Sequence, residues 1–289
     1  MATGVNPEVL IIGCGFLGET AADLFCAQGK RVLALVRSEE SLSHLASKPF
    51  ETLLCDVTDD VSVEALKSRA LGAPLTIYAV SSGGGNAADY GAVYRDGLRR
   101  VMEGWQPQKL IFVSSTSVYA QEDGSWVSEE SPTLPDRETA RILLEAEQIS
   151  LNAGGIVARF SGLYGTGRSL LLRKFLGNEA VVETGVPRYL NHIHRDDGAA
   201  ALLQLAQAGA PGGIYNVSDD TPAKQPEVIR WIADFLKSPL PPEGASPISR
   251  KRGSSSKRIS NAKLRALGWT PRYPTYREAL PELVAARAV

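Results

Sequence analysis

The stretch VLIIGCGFLG at residues 9–18 joins an apolar run to closely spaced glycines. Its first four residues have the length and aliphatic character of a buried strand, and a helix-period segment follows at residues 17–28. The glycines have G-x-G-x-x-G spacing, at Gly13, Gly15 and Gly18. Between a strand and a helix this spacing indicates a dinucleotide site, because backbone amides and the helix N-terminus can bind a diphosphate. An ordinary glycine-rich turn is the less favoured alternative.

Apolar runs rich in β-branched residues continue along the chain and alternate with helical segments. The runs lie at residues 9–12, 32–36, 52–55, 76–80, 110–114 and 155–158. The helical segments lie at residues 17–28, 61–70, 88–104 and 137–152. This alternation predicts an α/β fold with a doubly wound parallel sheet of six strands, the Rossmann arrangement.

The alternation weakens after Gly165. A helix is expected at 196–207, a strand at 214–217 and a helix at 226–236, followed by a proline-rich stretch. We therefore expect residues 1–168 with about 192–220 to form the dinucleotide-binding domain. Residues of about 169–191 and 221–289 are expected to form a smaller C-terminal substrate lobe.

Composition excludes several classes of function. The net charge of −1 argues against nucleic-acid or anionic-membrane partners, and no apolar run is long enough to span a bilayer. Residues 1–7 lack the basic region of a signal peptide, so we expect a cytoplasmic location. Cys14, Cys26 and Cys55 have no metal or disulfide spacing, and we expect no metal.

The ends of the next strands suggest how the adenosine half of a coenzyme is held. Arg37 and Ser38 stand where an NAD-selective protein carries an acid, so NADP(H) is favoured and NAD stays possible. A solvated arginine is the alternative. We expect the coenzyme to contact the glycine motif (Gly13, Cys14, Gly15, Phe16, Leu17, Gly18), Arg37, Ser38, Asp56, Val57, Ala79, Val80, Ser81, Ser114 and Phe160. Asp56 could equally be a turn residue or a helix N-cap.

Later segments carry a family resemblance. They are FVSSTSVY at 112–119, RFSGLYGTGR at 159–168, NHIHRDD at 191–197 and YNV at 215–217. Together they resemble extended short-chain dehydrogenases, the NAD(P)-dependent epimerase/dehydratase proteins. The tail, with KRISN at 257–261 and LGW at 267–269, is similar to a bacterial subgroup of atypical epimerase-like members.

The resemblance implies a catalytic serine and a Tyr-x-x-x-Lys pair. The serine position falls on Ser115, with Thr116 as the fallback, but the pair falls on Arg137 and Arg141. Arg141 could still bond the coenzyme ribose. Arg137 cannot replace a phenol, because a guanidinium has no accessible neutral form near pH 7. Four candidates for another acid or base stay open: Tyr119, Tyr164, Glu138 and His194.

The substrate is expected to contact Tyr119, Tyr164, His194 and Arg258, with Arg258 gripping a diphosphate. The alternative for Arg258 and the neighbouring basic cluster Arg250-Lys251-Arg252 is a solvated loop. His194 is expected to precede a helix capped by Asp196.

Two functions follow from these residues. The first is an NAD(P)-dependent epimerase, dehydratase or reductase for a nucleotide-sugar or related hydroxy/keto compound. The second is a catalytically silent NADP(H) sensor or partner-binding protein, favoured by the missing tyrosine. A homodimer is possible in either case.

Overall fold

The computed structural model describes residues 6–186, 188–245 and 256–285. The strands are β1 Val9–Ile12, β2 Val32–Val36, β3 Glu51–Leu54, β4 Leu75–Tyr78, β5 Leu110–Ser115, β6 Trp126–Val127, β7 Ile156–Phe160, β8 Gly162–Tyr164, β9 Val182–Glu183, β10 Tyr189–Leu190, β11 His192–His194, β12 Ile214–Val217, β13 Ala223–Lys224, β14 Glu243–Gly244 and β15 Arg258–Ile259. The α-helices are α1 Gly18–Ala27, α2 Glu39–Leu45, α3 Asp60–Ala65, α4 Lys67–Ala70, α5 Ala87–Tyr90, α6 Gly97–Trp105, α7 Glu138–Asn152, α8 Leu170–Leu176, α9 Arg195–Ala208, α10 Gln225–Leu236, α11 Ala262–Arg265 and α12 Tyr276–Ala285.

The central sheet has seven strands, all parallel, in the order β12-β7-β5-β4-β1-β2-β3. Chain order reverses between β1 and β4, so a crevice opens beyond the carboxyl ends of these two strands. The predicted doubly wound fold is confirmed. The predicted count of six strands is wrong, because β12 also joins the sheet, with Ile214 opposite Val157 and Val217 opposite Phe160.

Helices cover both faces of this sheet. Alternate residues of β1 enter different cores: Ile11 packs with α1 and α9, whereas Leu10 packs with α6 and α7. Both are fully buried. A strand covered on both faces reads as a continuous apolar run, which explains why the strand runs stand out in the sequence.

A third apolar cluster forms the core of a smaller lobe. It joins Phe175 of α8, Ile229 of α10 and Leu280 of α12 to Tyr164. This agrees with the smaller C-terminal lobe in the predicted fold class, whose exact boundaries stay a prediction. Within the described ranges, none of the helices combines the length and hydrophobicity needed to cross a bilayer.

The helix predicted at 88–104 is interrupted. It begins as α5, continues as a π-helix over Gly91–Asp96 and ends as α6. The buried Tyr78 hydroxyl donates to the Val93 carbonyl oxygen at 2.6 Å. In an α-helix the Gly97 amide would bond this carbonyl, so the inserted hydroxyl accounts for the change of register.

Candidate functional site

The glycine loop after β1 is shaped by backbone contacts. Gly13 has φ +89°, and a Cβ there would lie 2.7 Å from the backbone of Ala79 and Val80. A Cβ at Gly18 would press on the Gly13 carbonyl oxygen. At Gly15 a Cβ would meet nothing within 4 Å. The first and third glycines therefore let the loop pack, while the second leaves an open face.

That open face has the properties of a diphosphate site. α1 begins directly after the loop, and its N-terminus has no side-chain cap. Uncapped amides and the positive end of the helix dipole suit an anion. Burial raises the pKa of the Cys14 thiol to about 12, so Cys14 stays neutral beside this site.

The adenosine-side residues fall into two groups. Arg37 is exposed at the end of β2, and Ser38 caps α2 by accepting a hydrogen bond from the Ser41 amide. Asp56 is a turn residue, since its carboxylate accepts bonds from the Thr58 amide and hydroxyl at 2.8 and 2.7 Å. Asp59 rather than Asp56 caps α3.

The other expected coenzyme contacts differ in burial. Ala79 and Val80 are half-buried and Ser81 is exposed, so all three present surface at the end of β4. Val57 and Phe160 are instead 5% exposed and pack in the apolar cores.

A buried polar network links β5 to α7 and β7. The Ser114 hydroxyl donates to Glu147 at 2.6 Å, and Arg159 forms a salt bridge with Glu147 at 2.6 Å. Arg159 also donates to the Tyr119 hydroxyl at 2.9 Å, which donates to Asn216 at 2.8 Å. The structure thus places Ser114 and Tyr119 in the core, with their hydroxyls committed to partners within the protein.

The two arginines at the Tyr-x-x-x-Lys positions, Arg137 and Arg141, lie at the protein surface. Arg137 is exposed and immediately precedes α7. The exposed Arg141 guanidinium donates to the carbonyl oxygens of Pro135 and Asp136, at 3.1 and 2.8 Å. This conformation turns Arg141 back onto its own loop instead of toward a coenzyme ribose. Glu138 is exposed in the first turn of the same helix.

A cleft of about 850 Å³ lies between the sheet and the small lobe. Polar side chains that line it include Ser115, Thr116, Tyr164, Arg168, His192 and Lys257. The Arg168 guanidinium lies 5.2 Å from the centre of the Phe16 ring, and Arg195 lies 5.0 Å from it. The cleft therefore adjoins the glycine loop that carries Phe16.

Two aromatic side chains bring unsatisfied polar atoms to this cleft. Within the described residues, the Tyr164 hydroxyl and His192 Nδ1 are buried and make no hydrogen bond. Burial raises the pKa of Tyr164. Burial, assisted by Arg188, lowers the pKa of His192 to about 4, so His192 is neutral at pH 7. Both side chains are therefore uncharged at pH 7.

His194 has a structural position. Its Nδ1 accepts a bond from the Asp196 amide at 3.3 Å, so His194 rather than Asp196 caps α9. The ring is 4% exposed and packs against Tyr164 and Tyr273. The histidine that lines the cleft is His192, two residues earlier.

At the tail strand β15 the residue that lines the cleft is the neighbour of the one predicted from the sequence. Arg258 donates to the Gly124 carbonyl at 2.8 Å and lies between the rings of Trp126 and Tyr189. Lys257 enters the cleft instead. Lys257 immediately precedes β15, and no local pattern in the sequence distinguishes it from Arg258 as the residue that lines the cleft. The cluster Arg250-Lys251-Arg252 lies outside the described residues.

Comparison with known proteins identifies the family. The model of the NAD dependent epimerase/dehydratase family matches residues 9–218, more than half of the chain. A protein of Methylobacillus flagellatus named for this family is 31% identical, with a TM-score of 0.79 over 98% of this chain and 99% of that chain. No match is found among the curated proteins.

More distant solved structures share the fold. MoeE5 in complex with UDP-glucose and NAD is 21% identical, with a TM-score of 0.78 over 97% of this chain and 99% of that one. The dTDP-glucose 4,6-dehydratase of Streptomyces venezuelae, solved with NAD, is 17% identical, with a TM-score of 0.80 over 96% and 95% of the two chains. With the family match over residues 9–218 and the glycine loop at the sheet's switch point, these findings show that the chain belongs to the NAD-dependent epimerase/dehydratase family.

Proposed function

We propose that this chain is an NADP(H)-dependent oxidoreductase of the epimerase or dehydratase type, acting on a nucleotide-sugar or a related hydroxy/keto compound. One observation carries the proposal: the cleft that Ser115 lines adjoins the glycine loop through Arg168 and Phe16. A substrate in this cleft and a coenzyme on the loop would meet at the carboxyl ends of β1, β4 and β5.

The glycine loop fits the coenzyme that the family implies. The open face at Gly15 and the uncapped N-terminus of α1 would hold the diphosphate. Arg37, exposed beyond β2, would pair with a ribose 2′-phosphate, which supports NADP over NAD. Bound there, the nicotinamide supplies an acceptor or donor of hydride for a substrate carbon.

The cleft suits an anionic, polar substrate. Its volume of about 850 Å³ is within the range of small-molecule sites. Arg168, Arg173, Lys174 and Arg188 line it, although Arg188 is paired with Glu183 at 3.2 Å and Arg173 with Glu179 at 3.8 Å. This positive wall, and the nucleotide-sugar enzymes that share the fold, support a nucleoside diphosphate group on the substrate.

Ser115 would hold the reacting oxygen. Its hydroxyl lies at the end of β5 and accepts a bond from the Ser117 amide at 3.2 Å, which fixes its rotamer and leaves the hydroxyl proton available to a ligand. Thr116 lines the same wall and is the second candidate.

The second function is a coenzyme-binding sensor without turnover. It is favoured by Arg137 and Arg141, which replace the family's tyrosine and lysine and are exposed outside the cleft lining. A homodimer and a cytoplasmic location complete the proposal for either function.

Turnover separates the two functions. Purified protein would be incubated with NADP⁺ or NAD⁺ and a panel that includes UDP-glucose and dTDP-glucose, following absorbance at the nicotinamide band and deuterium exchange at sugar carbons. An enzyme turns over at least one compound, and Ser115→Ala lowers the rate by about 10²–10³-fold. Ser43→Ala, an exposed serine on α2, is the control and retains the rate. Tight coenzyme binding without turnover would support the sensor.

A further inference from the structure

Lys257 is a buried amine at the wall of the cleft. The residue lines the cleft, although it is only 4% exposed. The Asn191 side chain holds the backbone here: its Nδ2 donates to the Lys257 carbonyl oxygen at 2.9 Å, and its Oδ1 accepts from the Ile259 backbone amide at 2.8 Å. The Asn191 side chain thus fixes the backbone at Lys257 and again two residues later at Ile259.

The amine is tied to the turn that carries Ser115. Its Nζ donates to the Tyr119 carbonyl oxygen at 2.7 Å. Ser115 and Tyr119 flank the single 3₁₀ turn Thr116–Val118, which also lines the cleft at its first two residues. The Ser115 hydroxyl and the Lys257 amine are therefore held by the two ends of one turn.

The amine has capacity left for a ligand. An ammonium has three donors, and in the described part of the chain Nζ makes the single hydrogen bond to Tyr119. Glu122 is the acidic group that acts on it, and it favours the charged form. Burial has the larger and opposite effect and lowers the pKa of Lys257 to about 8. Other charged groups on the cleft wall are Glu179, Glu183, Arg168, Arg173, Lys174 and Arg188.

Three other titratable side chains of the cleft, Tyr164, His192 and Arg168, are poorer proton carriers than Lys257 near neutrality. Burial raises the pKa of Tyr164 and holds it as a neutral phenol. The pKa of His192, lowered to about 4, keeps the ring neutral at pH 7, where it is only a weak base. Arg168 cannot release its proton. A general acid or base works best when its pKa is near the working pH.

We infer that the Lys257 amine is the acid–base group of this cleft and takes the place of the family tyrosine that the sequence lacks; this rests on the proposed function. In the oxidative direction, an oxidised nicotinamide coenzyme held by the glycine loop would supply the acceptor for the hydride of the substrate's carbinol C–H bond. The O–H proton passes to neutral Lys257, and the carbon–oxygen double bond forms while Ser115 holds the oxygen. In the reverse, reductive direction the hydride would return to carbon and Lys257 would return the proton to oxygen.

The test compares Lys257→Met, Lys257→Arg and Lys257→Ala with Lys263→Met, a control at an exposed lysine of the same tail. Turnover would be measured with NADP⁺ and the nucleotide-sugar panel, and coenzyme affinity by calorimetry. We expect all three Lys257 variants to keep coenzyme affinity within about threefold and to lose about 10²–10⁴-fold in turnover. Arginine keeps the charge but cannot exchange the proton.

Two readouts separate proton transfer from a merely structural role. Added ethylamine should restore part of the Lys257→Ala rate, and wild-type oxidation should rise with pH through about 8, as the amine loses its proton. Wild-type turnover that persists in the Lys257→Met or Lys257→Arg variant, or a loss that no amine restores, overturns the assignment of Lys257. Absence of wild-type turnover across the panel instead overturns the proposed function and the inference with it.

Discussion

Replacing Gly15 by alanine should weaken coenzyme binding without harming the fold. The added Cβ would meet no protein atom within 4 Å, and Gly15 is not among the glycines with positive φ. Removing a glycine under those conditions stabilises a protein by about 0.4–1 kcal/mol. The added methyl group would occupy the open face of the loop, where we propose that the coenzyme diphosphate binds. Loss of one amide bond to a charged diphosphate costs about 1.5–3 kcal/mol, or about 10–150-fold in Kd.

Two matched variants isolate this effect. Gly18→Ala places a Cβ against the Gly13 carbonyl oxygen and 3.3 Å from Ile11, so it should lower stability by about 1–3 kcal/mol. Gly104 lies in α6, and a Cβ added there would lie 3.8 Å from Val63 of α3, so Gly104→Ala should stabilise the fold and leave the Kd unchanged. Calorimetry with NADP⁺ and thermal melting give both quantities. An unaltered Kd in Gly15→Ala would refute the diphosphate position.

Three further predictions test charge and burial. Arg37→Asp should weaken NADP⁺ about 10–100-fold and NAD⁺ much less, and equal calorimetric losses would remove the basis for NADP selectivity. Glu147→Gln leaves the buried Arg159 without its counter-charge, so urea unfolding should show a loss of about 3–5 kcal/mol in the free energy of unfolding. Ser114→Ala removes only a hydrogen bond and should cost about 1 kcal/mol. Similar losses in the two variants would argue against this interpretation of the network. The pKa of His192 is about 4 when folded and higher when unfolded, so the unfolded chain binds more protons in between. Stability should therefore fall from pH 6.5 to 4 by no more than about 3 kcal/mol through this group, and a His192→Gln variant with the same slope would contradict that pKa.

The parallel sheet is predictable because its chemistry is local. Strands buried on both faces read as apolar runs, and the spacing of Gly13 and Gly18 reports contacts within the loop itself. The π-helix was not predictable from the period of residues 88–104, because it depends on the hydroxyl of Tyr78 from another element. The sequence predicts β12 as a strand, but its place in the sheet depends on long-range pairing with β7.

The cleft was only partly predictable because long-range contacts choose between neighbouring residues. Tyr119 and Arg159 are 40 residues apart, and their hydrogen bond commits the tyrosine to the core. Lys257 bonds a carbonyl 138 residues away, which no local spacing encodes. The cleft is lined by Ser115 and Tyr164, which lie in segments that the family resemblance selects, whereas in the tail it is lined by Lys257 and not by Arg258.

The central claim is that the loop at Gly13–Gly18 binds a nicotinamide dinucleotide diphosphate. Isothermal titration calorimetry of the unmodified chain with NADP⁺ and NAD⁺ tests it most directly. We predict saturable binding of one coenzyme per chain, tighter for NADP⁺ than for NAD⁺. Titrations that detect no binding of either coenzyme, in oxidised or reduced form, would contradict the claim.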